Sequence, residues 1–188
     1  MRLRVVDIET TGTAPPAEII EFGFSDVVLN PNGVTISEPI SWLYRPLGEI
    51  PPETKAVHHL TEEDFPADIA PATPGHMRAA ITFGTPPHVL VAHNCVFERL
   101  FLPDAVTGGL PWICTYKVAL HVWPSAPKHS NQVLRYWRAL DLARLIHEPS
   151  CQGVADPALR FGDGHGTQFL VARGTARFRV FAELRGWA

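Results

Sequence analysis

The 188-residue chain has the composition of one folded domain. Hydrophobic residues make up 46% of it and charged residues 19%, which excludes a disordered polar chain. Its net charge of −3 excludes a strongly basic protein that coats nucleic acid through its overall charge. No apolar run is long enough to span a membrane, and the first residues show no secretory signal. The three cysteines form no zinc-binding pattern, and such an odd, sparse set suits a reducing compartment, so we expect a cytoplasmic protein. Because no run spans a membrane, we expect no membrane partner.

The first part of the chain predicts three strands that pair as an antiparallel meander. Residues 3–8 form a short apolar run, and residues 19–29 form a longer one. The sequence Asn-Pro-Asn-Gly at residues 30–33 is a strong turn signal. It predicts a third strand over residues 34–44 that pairs back on the second.

Strands then alternate with helices up to about residue 148. A meander followed by such an alternation predicts an α/β fold, with helices flanking a mixed sheet. We expect strands over residues 88–92 and 112–115, and helices over 53–60, after Thr61, from Pro74 to 83, over 95–102 and 116–122, and from Ser130 onward.

Residues 149–188 differ in texture from the rest of the chain. They are rich in glycine and contain no clean amphipathic helix. We therefore expect a domain over residues 1–148 and an irregular C-terminal tail over residues 149–188.

The sharpest chemical signal follows the first apolar run, where Asp7 and Glu9 stand two residues apart. Side chains at that spacing point to the same face of a strand, so both carboxylates meet at its end, with Ile8 in the core. Two such carboxylates repel each other unless a cation neutralises them, and hard divalent ions such as Mg²⁺ or Mn²⁺ fit best. Residues 10–12 are Thr-Thr-Gly, which gives the strand a tight exit.

A third carboxylate comes from a distant segment. Residues 91–98 contain a strand end, a turn at Asn94 and the start of a helix that carries Glu98. This order brings Glu98 toward the sheet edge that holds Asp7 and Glu9. Taken alone, Asn94 would be an ordinary helix cap and Glu98 a surface acid; together the three acids predict a two-metal site.

Both strings resemble the first two exonuclease motifs of the DnaQ-like DEDD family, and residues 51–61 resemble the segment between them. Residues 112–117, 123–124 and 130–131 are similar to the exodeoxyribonuclease X branch of that family. The resemblance covers residue 3 to about residue 148. It implies a ribonuclease-H-like fold and a 3′→5′ exonuclease that releases nucleoside 5′-monophosphates from DNA.

The resemblance also implies roles for single residues. Asp7 would bridge two Mg²⁺ or Mn²⁺ ions, Glu9 would hold the ion that activates water, and Glu98 would help hold the other. Glu98 stands where the family usually has Asp, and its side chain is one methylene longer. The partner would be the 3′ end of single-stranded DNA, and no protein partner is indicated. The residues expected to contact the terminal nucleotide are Ile8, Thr10, Thr11, Gly12, His58, Asn94 and Phe97.

The third motif of the family, a histidine followed five positions later by an aspartate, is missing after residue 130. The spacing offers Asp156 as the fourth catalytic carboxylate and metal ligand, with Cys151 in the position of the histidine. Cysteine is a poor substitute there because its usual pKa is about 8.5. His147 and His165 are weaker candidates for the general base.

Three functions therefore remain open from the sequence. The first is a DNA exonuclease, impaired or intact. The second is a non-catalytic module of the same fold that binds a 3′ end or a protein. The third is an exoribonuclease of the same superfamily. The three acidic residues favour an enzyme, because a binding module has little need of carboxylates that repel each other, whereas the missing histidine favours the module.

Overall fold

The computed structural model describes residues 1–138. The expected domain boundary at residue 148 and the predicted positions of His147, Cys151, Asp156 and His165 lie outside these residues. Over the described part, the expected helix-flanked mixed sheet is present. None of the helices among residues 1–138 combines the length and the apolar character needed to cross a bilayer.

Within residues 1–138, one mixed sheet contains the strands β1 (Arg2–Thr10), β2 (Ile19–Asn30), β3 (Gly33–Ile36), β4 (Ile40–Leu43), β5 (Val89–Ala92) and β6 (Trp112–Cys114). Their order is β3-β2-β1-β5-β6, and β4 also pairs with β2. The first strand is antiparallel to the second, whereas β5 is parallel to both β1 and β6. The carboxyl ends of β1, β5 and β6 therefore meet at one edge of the sheet.

The helices of the described part follow the predicted order with one addition. One short helix over Asp104–Thr107 was not predicted, and it follows Pro103 directly. The helices are α1 (Pro52–His58), α2 (Pro74–Ile81), α3 (Val96–Phe101), α4 (Asp104–Thr107), α5 (Thr115–Val122) and α6 (Asn131–Trp137).

The prediction of a single third strand over residues 34–44 is wrong. Two strands, β3 and β4, occupy that range, and both pair with β2. Between them, Ser37 Oγ accepts a hydrogen bond from the Asp26 N–H at 2.8 Å. Pro39 has no N–H to donate to a sheet ladder. The side-chain bond and the proline together explain why the strand is interrupted.

Three predicted helix boundaries also change. The first helix ends at His58 because His59 takes a left-handed conformation with φ 63°. The expected helix after Thr61 is a single 3₁₀ turn at Glu62–Asp64, which begins where the Thr61 N–H donates to the Asp64 carboxylate at 2.7 Å. The second helix ends at Ile81 rather than at residue 83.

Alternation along β1 separates two faces of the sheet. Val6 and Ile8 are buried in the main hydrophobic core. Val5 packs on the opposite face against Val91 of β5. The main core also contains Phe22, Phe24, Met77, Ile81, Leu90 and Leu102.

A buried ion pair joins the first two strands to the end of α2. Arg4 is only 1% exposed, and its Nε and Nη2 atoms both donate to the Asp26 carboxylate at 2.8 Å. Its Nη1 atom donates to the carbonyl of Ile81 at 2.6 Å, and Nη2 donates to the carbonyl of Phe83 at 2.9 Å. Arg4 therefore satisfies carbonyl groups that the end of a helix leaves without partners.

Candidate active site

Asp7 and Glu9 lie near the carboxyl end of β1, on the face opposite the main core. They alternate with Ile8, which is 3% exposed, and both acids are half-buried. Their partners across the antiparallel pair are Gly23 for Asp7 and Glu21 for Glu9. The predicted pairing of Asp7 and Glu9 on one face is thus present.

Glu21 is a third carboxylate on that face, and it was not predicted from the sequence. Residues directly opposite each other in an antiparallel pair share a face, so Glu21 lies beside Glu9. Its residue is 7% exposed. The pairing is irregular between Glu9 and Thr10, immediately beyond this position. Because a loop of several residues connects the two strands, no tight turn in the sequence indicates their register.

The loop after β1 is closed by its own hydrogen bonds. The Thr11 N–H donates to the Glu18 carbonyl at 2.9 Å, and the Glu18 N–H donates to Thr11 Oγ1 at 2.9 Å. Thr10 Oγ1 donates to the Gly12 carbonyl at 2.6 Å. A Cβ atom at Gly12 would lie 3.0 Å from the Cβ of Ala17. The small residue at position 12 therefore lets the loop pack against itself beside the acidic pair.

The turn between β5 and α3 brings Glu98 toward the same edge of the sheet. Strand β5 is paired in parallel with β1 up to Val91 and Val5, so α3 begins where β1 ends. Asn94 makes the turn with φ 68°, a left-handed conformation that asparagine tolerates better than most residues. Its carbonyl accepts a hydrogen bond from the Phe97 N–H at 2.9 Å. Glu98 is 3% exposed, so it is not the surface acid of the alternative interpretation.

The other residues predicted to contact the nucleotide are largely occupied in packing or in hydrogen bonds within the fold. Ile8 is buried in the main core, so only its backbone could contact a nucleotide. Phe97 packs against that core, with its ring 5.2 Å from the ring of Phe101. His58 is buried at the end of α1, where Nδ1 accepts a hydrogen bond from the Leu60 N–H at 2.9 Å. In a neutral His58 the proton therefore resides on Nε2.

His93 is a structural histidine at the same sheet edge. Its Nε2 donates to the carbonyl of His129 at 2.8 Å, and Nδ1 lies 3.2 Å from Thr115 Oγ1. Burial lowers the pKa of His93, although the bond to the His129 carbonyl acts to raise it. A neutral imidazole with both nitrogens engaged connects the end of β5 to α5 and to the segment before α6. It is not available as a general base.

Carboxylate oxygens are the donors that Mg²⁺ and Mn²⁺ prefer, so the chemistry of the acidic face fits such ions. Among residues 1–138, however, no three side chains from the histidines, cysteines and acids are close enough to hold one ion together. The predicted fourth ligand, Asp156, lies beyond these residues.

Comparisons with known proteins identify relatives among the exonucleases. The model of the family RNase_T, described as Exonuclease, matches residues 5–100. Exodeoxyribonuclease 10 of Escherichia coli strain K12 is 34% identical over an alignment of 145 residues, and the match covers 74% of this chain and 56% of the relative. The same protein of Escherichia coli O6:H1 matches equally well. The chain thus spans about half the length of the curated relatives it matches.

Solved structures with a similar fold include Exonuclease X in complex with 5′ overhanging duplex DNA. That structure has a TM-score of 0.58 and 28% identity, and the match covers 99% of this chain and 94% of that one. The nuclease domain of 3′hExo, a DEDDh family member bound to rAMP, also has a TM-score of 0.58, with 16% identity over 98% of this chain and 92% of that one. The second likeness concerns the fold alone.

Proposed function

Because this chain belongs to the exonuclease family whose model it matches, we propose that it is a metal-dependent 3′→5′ exonuclease acting on DNA. It removes nucleoside 5′-monophosphates from the 3′ end of a single strand. The observation that carries the proposal is the shared face of Asp7 and Glu9 at the end of β1, next to the strand that leads into the Glu98 helix.

The proposed metal ligands are Asp7, Glu9, Glu98 and Asp156. Two bound Mg²⁺ or Mn²⁺ ions would supply an activated water and stabilise the leaving 3′ oxygen. The chain itself holds Asp7 and Glu9 on one face near the end of β1 and thereby gathers negative charge where a divalent cation is attracted. The chain continues from β1 into a loop that contains Thr10, Thr11 and Gly12 and is closed by hydrogen bonds. This loop forms one wall for the terminal nucleotide.

The remaining contacts come from other segments. Asn94, Phe97 and His58 would line the opposite side of the terminal nucleotide, and Ile8 would contribute its backbone. The unusual conformation of Asn94 supports this role, because strained backbone positions gather at functional turns.

A non-catalytic module of the same fold is the second candidate. The observation that favours it is the missing third motif, since no histidine after residue 130 is followed five positions later by aspartate. A module of this kind binds a 3′ end and releases nothing.

Incubation of the full chain with a 5′-labelled single-stranded DNA separates the two candidates. The enzyme shortens the labelled strand stepwise in Mg²⁺ or Mn²⁺ and leaves it intact in EDTA, and a phosphorothioate at the 3′ terminal linkage slows the shortening. Binding without shortening under every condition supports the module. An RNA of the same sequence, degraded in preference to the DNA, would make the chain an exoribonuclease.

The role of Asp156 has its own test. We expect Asp156→Asn to lower the rate of shortening, while Asp163→Asn, which removes another carboxylate from the same segment, leaves the rate unchanged. Equal rates for the two variants would remove Asp156 from the proposed ligand set.

A further inference from the structure

Two cysteines from separate segments meet behind the proposed site. Cys114 ends β6 opposite Ala92 of β5, and Cys95 stands three residues later, immediately before α3. The two thiols lie close enough for each to shift the pKa of the other. Cys95 belongs to the main core, and Cys114 packs against that core. The two sulfur atoms are therefore neighbours in the folded protein although 18 residues of chain lie between them.

Their surroundings make the two thiols unequal. Burial acts to raise the pKa of Cys114. Hydrogen bonds from the backbone N–H groups of Lys117, Cys95 and Asn94 and from the Cys95 thiol together lower this pKa by more, so the net shift is downward. Burial raises the pKa of Cys95. Cys114 is also the more accessible of the two, since Cys95 is only 7% exposed. The accessible, more acidic thiol is the one that reacts first.

We propose that Cys95 and Cys114 form an oxidisable dithiol that a low-molecular-weight disulfide, such as oxidised glutathione, converts into an intramolecular disulfide. The Cys114 thiolate attacks one sulfur of the small disulfide, whose S–S bond breaks and releases a thiolate. Cys95 then loses its proton and attacks the Cys114 sulfur, which releases the second small thiolate. The two cysteines give up two electrons and two protons, and the small disulfide becomes two thiols.

The disulfide would act on the segment that carries Glu98. It joins the two sulfur atoms by a covalent bond of about 2.05 Å. This bond ties the residue before α3 to the residue before α5, and Glu98 lies one helical turn beyond Cys95. We expect oxidation to lower metal-dependent hydrolysis and a dithiol reductant to restore it. This consequence, unlike the disulfide itself, rests on the proposed exonuclease function.

The test uses the full native chain and peptide mapping. The reduced protein is incubated with oxidised glutathione, its remaining thiols are alkylated, and the non-reduced digest is analysed by mass spectrometry. We expect a Cys95–Cys114 cross-linked peptide, an intact mass lower by the two hydrogens lost, and an alkylated Cys151. Hydrolysis of labelled DNA is measured on the same reduced, oxidised and re-reduced samples.

Three variants control the experiment. Cys151→Ser keeps the cross-link, whereas Cys114→Ser prevents it and gives activity that oxidised glutathione does not change. Cys95→Ala, which suits the core position, stops the reaction at a glutathione adduct on Cys114. A cross-link to Cys151, or no cross-link in the native chain, overturns the proposal. A Cys95–Cys114 cross-link with unchanged hydrolysis overturns the consequence for activity, and a reduced sample without hydrolysis counts against the proposed function instead.

Discussion

The two ends of β1 handle charge in opposite ways. Near its beginning, Arg4 is matched with Asp26 across the sheet, and the guanidinium also binds carbonyls at and beyond the end of α2. Near its end, Asp7 and Glu9 share a face with a third acid, Glu21. One strand thus carries a charge pair of opposite sign at Arg4 and, from Asp7 onward, a group of charges of one sign.

The difference separates a structural role from a chemical one. Opposite charges that satisfy each other in the interior hold elements together, because removing one leaves the other buried and unpaired. Carboxylates gathered on one face repel each other, and a bound cation relieves that repulsion. Substitutions at the first end should therefore affect stability, and substitutions at the second should affect catalysis.

The largest effect is expected at the buried pair. Arg4→Met leaves the buried Asp26 carboxylate with only the more exposed Arg2 as its charge partner, and it leaves carbonyls at and beyond the end of α2 without their donor. We expect the free energy of unfolding to fall by about 3–5 kcal/mol, measured by urea denaturation. Arg2→Met is the matched control, because Arg2 also binds Asp26, at 2.7 Å, but is more exposed. It should lose about 1 kcal/mol or less. Equal losses would mean that burial does not distinguish the two arginines.

The reverse pattern is expected at the other end of the strand. Asp7→Asn should reduce metal-dependent hydrolysis of single-stranded DNA at least about a hundredfold, because it removes a charge that attracts the cations. The midpoint of urea denaturation should fall much less than in Arg4→Met, because Asp7 is only half-buried. Asp68→Asn, in an exposed loop, is the control for a change of net charge. A large loss of stability in Asp7→Asn would contradict the contrast between the two ends.

The sequence predicts much of the sheet but not its register. The apolar runs and the turn at residues 30–33 predict β1 and β2, and the spacing of Asp7 and Glu9 predicts their shared face. Glu21 could not be predicted, because its position opposite Glu9 depends on pairing across a loop without a tight turn. The sequence pattern also failed to predict the break at residues 37–39, where a side-chain hydrogen bond and a proline interrupt the strand expected over residues 34–44.

The candidate site was predictable to the extent that its residues follow strand ends. The places of Asp7, Glu9 and Glu98 in the fold could be predicted on this basis. The burial of Glu98 could not, because a glutamate in the first turn of a helix is usually exposed. The proximity of Cys95 and Cys114 was also beyond prediction. It depends on the parallel pairing of β5 with β6, which brings two distant segments together.

A smaller effect is expected in the loop beside the acidic pair. Gly12→Ala adds a Cβ atom 3.0 Å from the Cβ of Ala17, so the loop must shift. We expect a loss of about 1 kcal/mol in the free energy of unfolding, measured by urea denaturation. Gly48→Ala meets no atom within 4 Å, and its stability should be unchanged or slightly higher. If the loop forms a wall of the nucleotide site, Gly12→Ala also raises the KM for DNA and Gly48→Ala does not.

The smallest effect concerns a charge pair in the open. The Lys55 ammonium lies 2.8 Å from the Glu62 carboxylate, and the Ile50 N–H donates to it at 3.2 Å. The hydrogen bond from Lys55 is the main reason that the pKa of Glu62 is lowered to about 2. Because the folded-state pKa lies below the usual value, Glu62 stabilises the protein above pH 4.5 and loses this effect as the pH falls toward 2.

Glu62→Gln should therefore unfold slightly more easily than the native chain at pH 7, and this difference should shrink between about pH 4.5 and pH 2. Lys55→Met removes the same ion pair from the other side and should show the same dependence on pH. Thermal denaturation at several pH values measures both variants. A difference that stays constant down to pH 2 would mean that Glu62 acts through its packing rather than its charge. The exposed pair would then resemble neither end of β1.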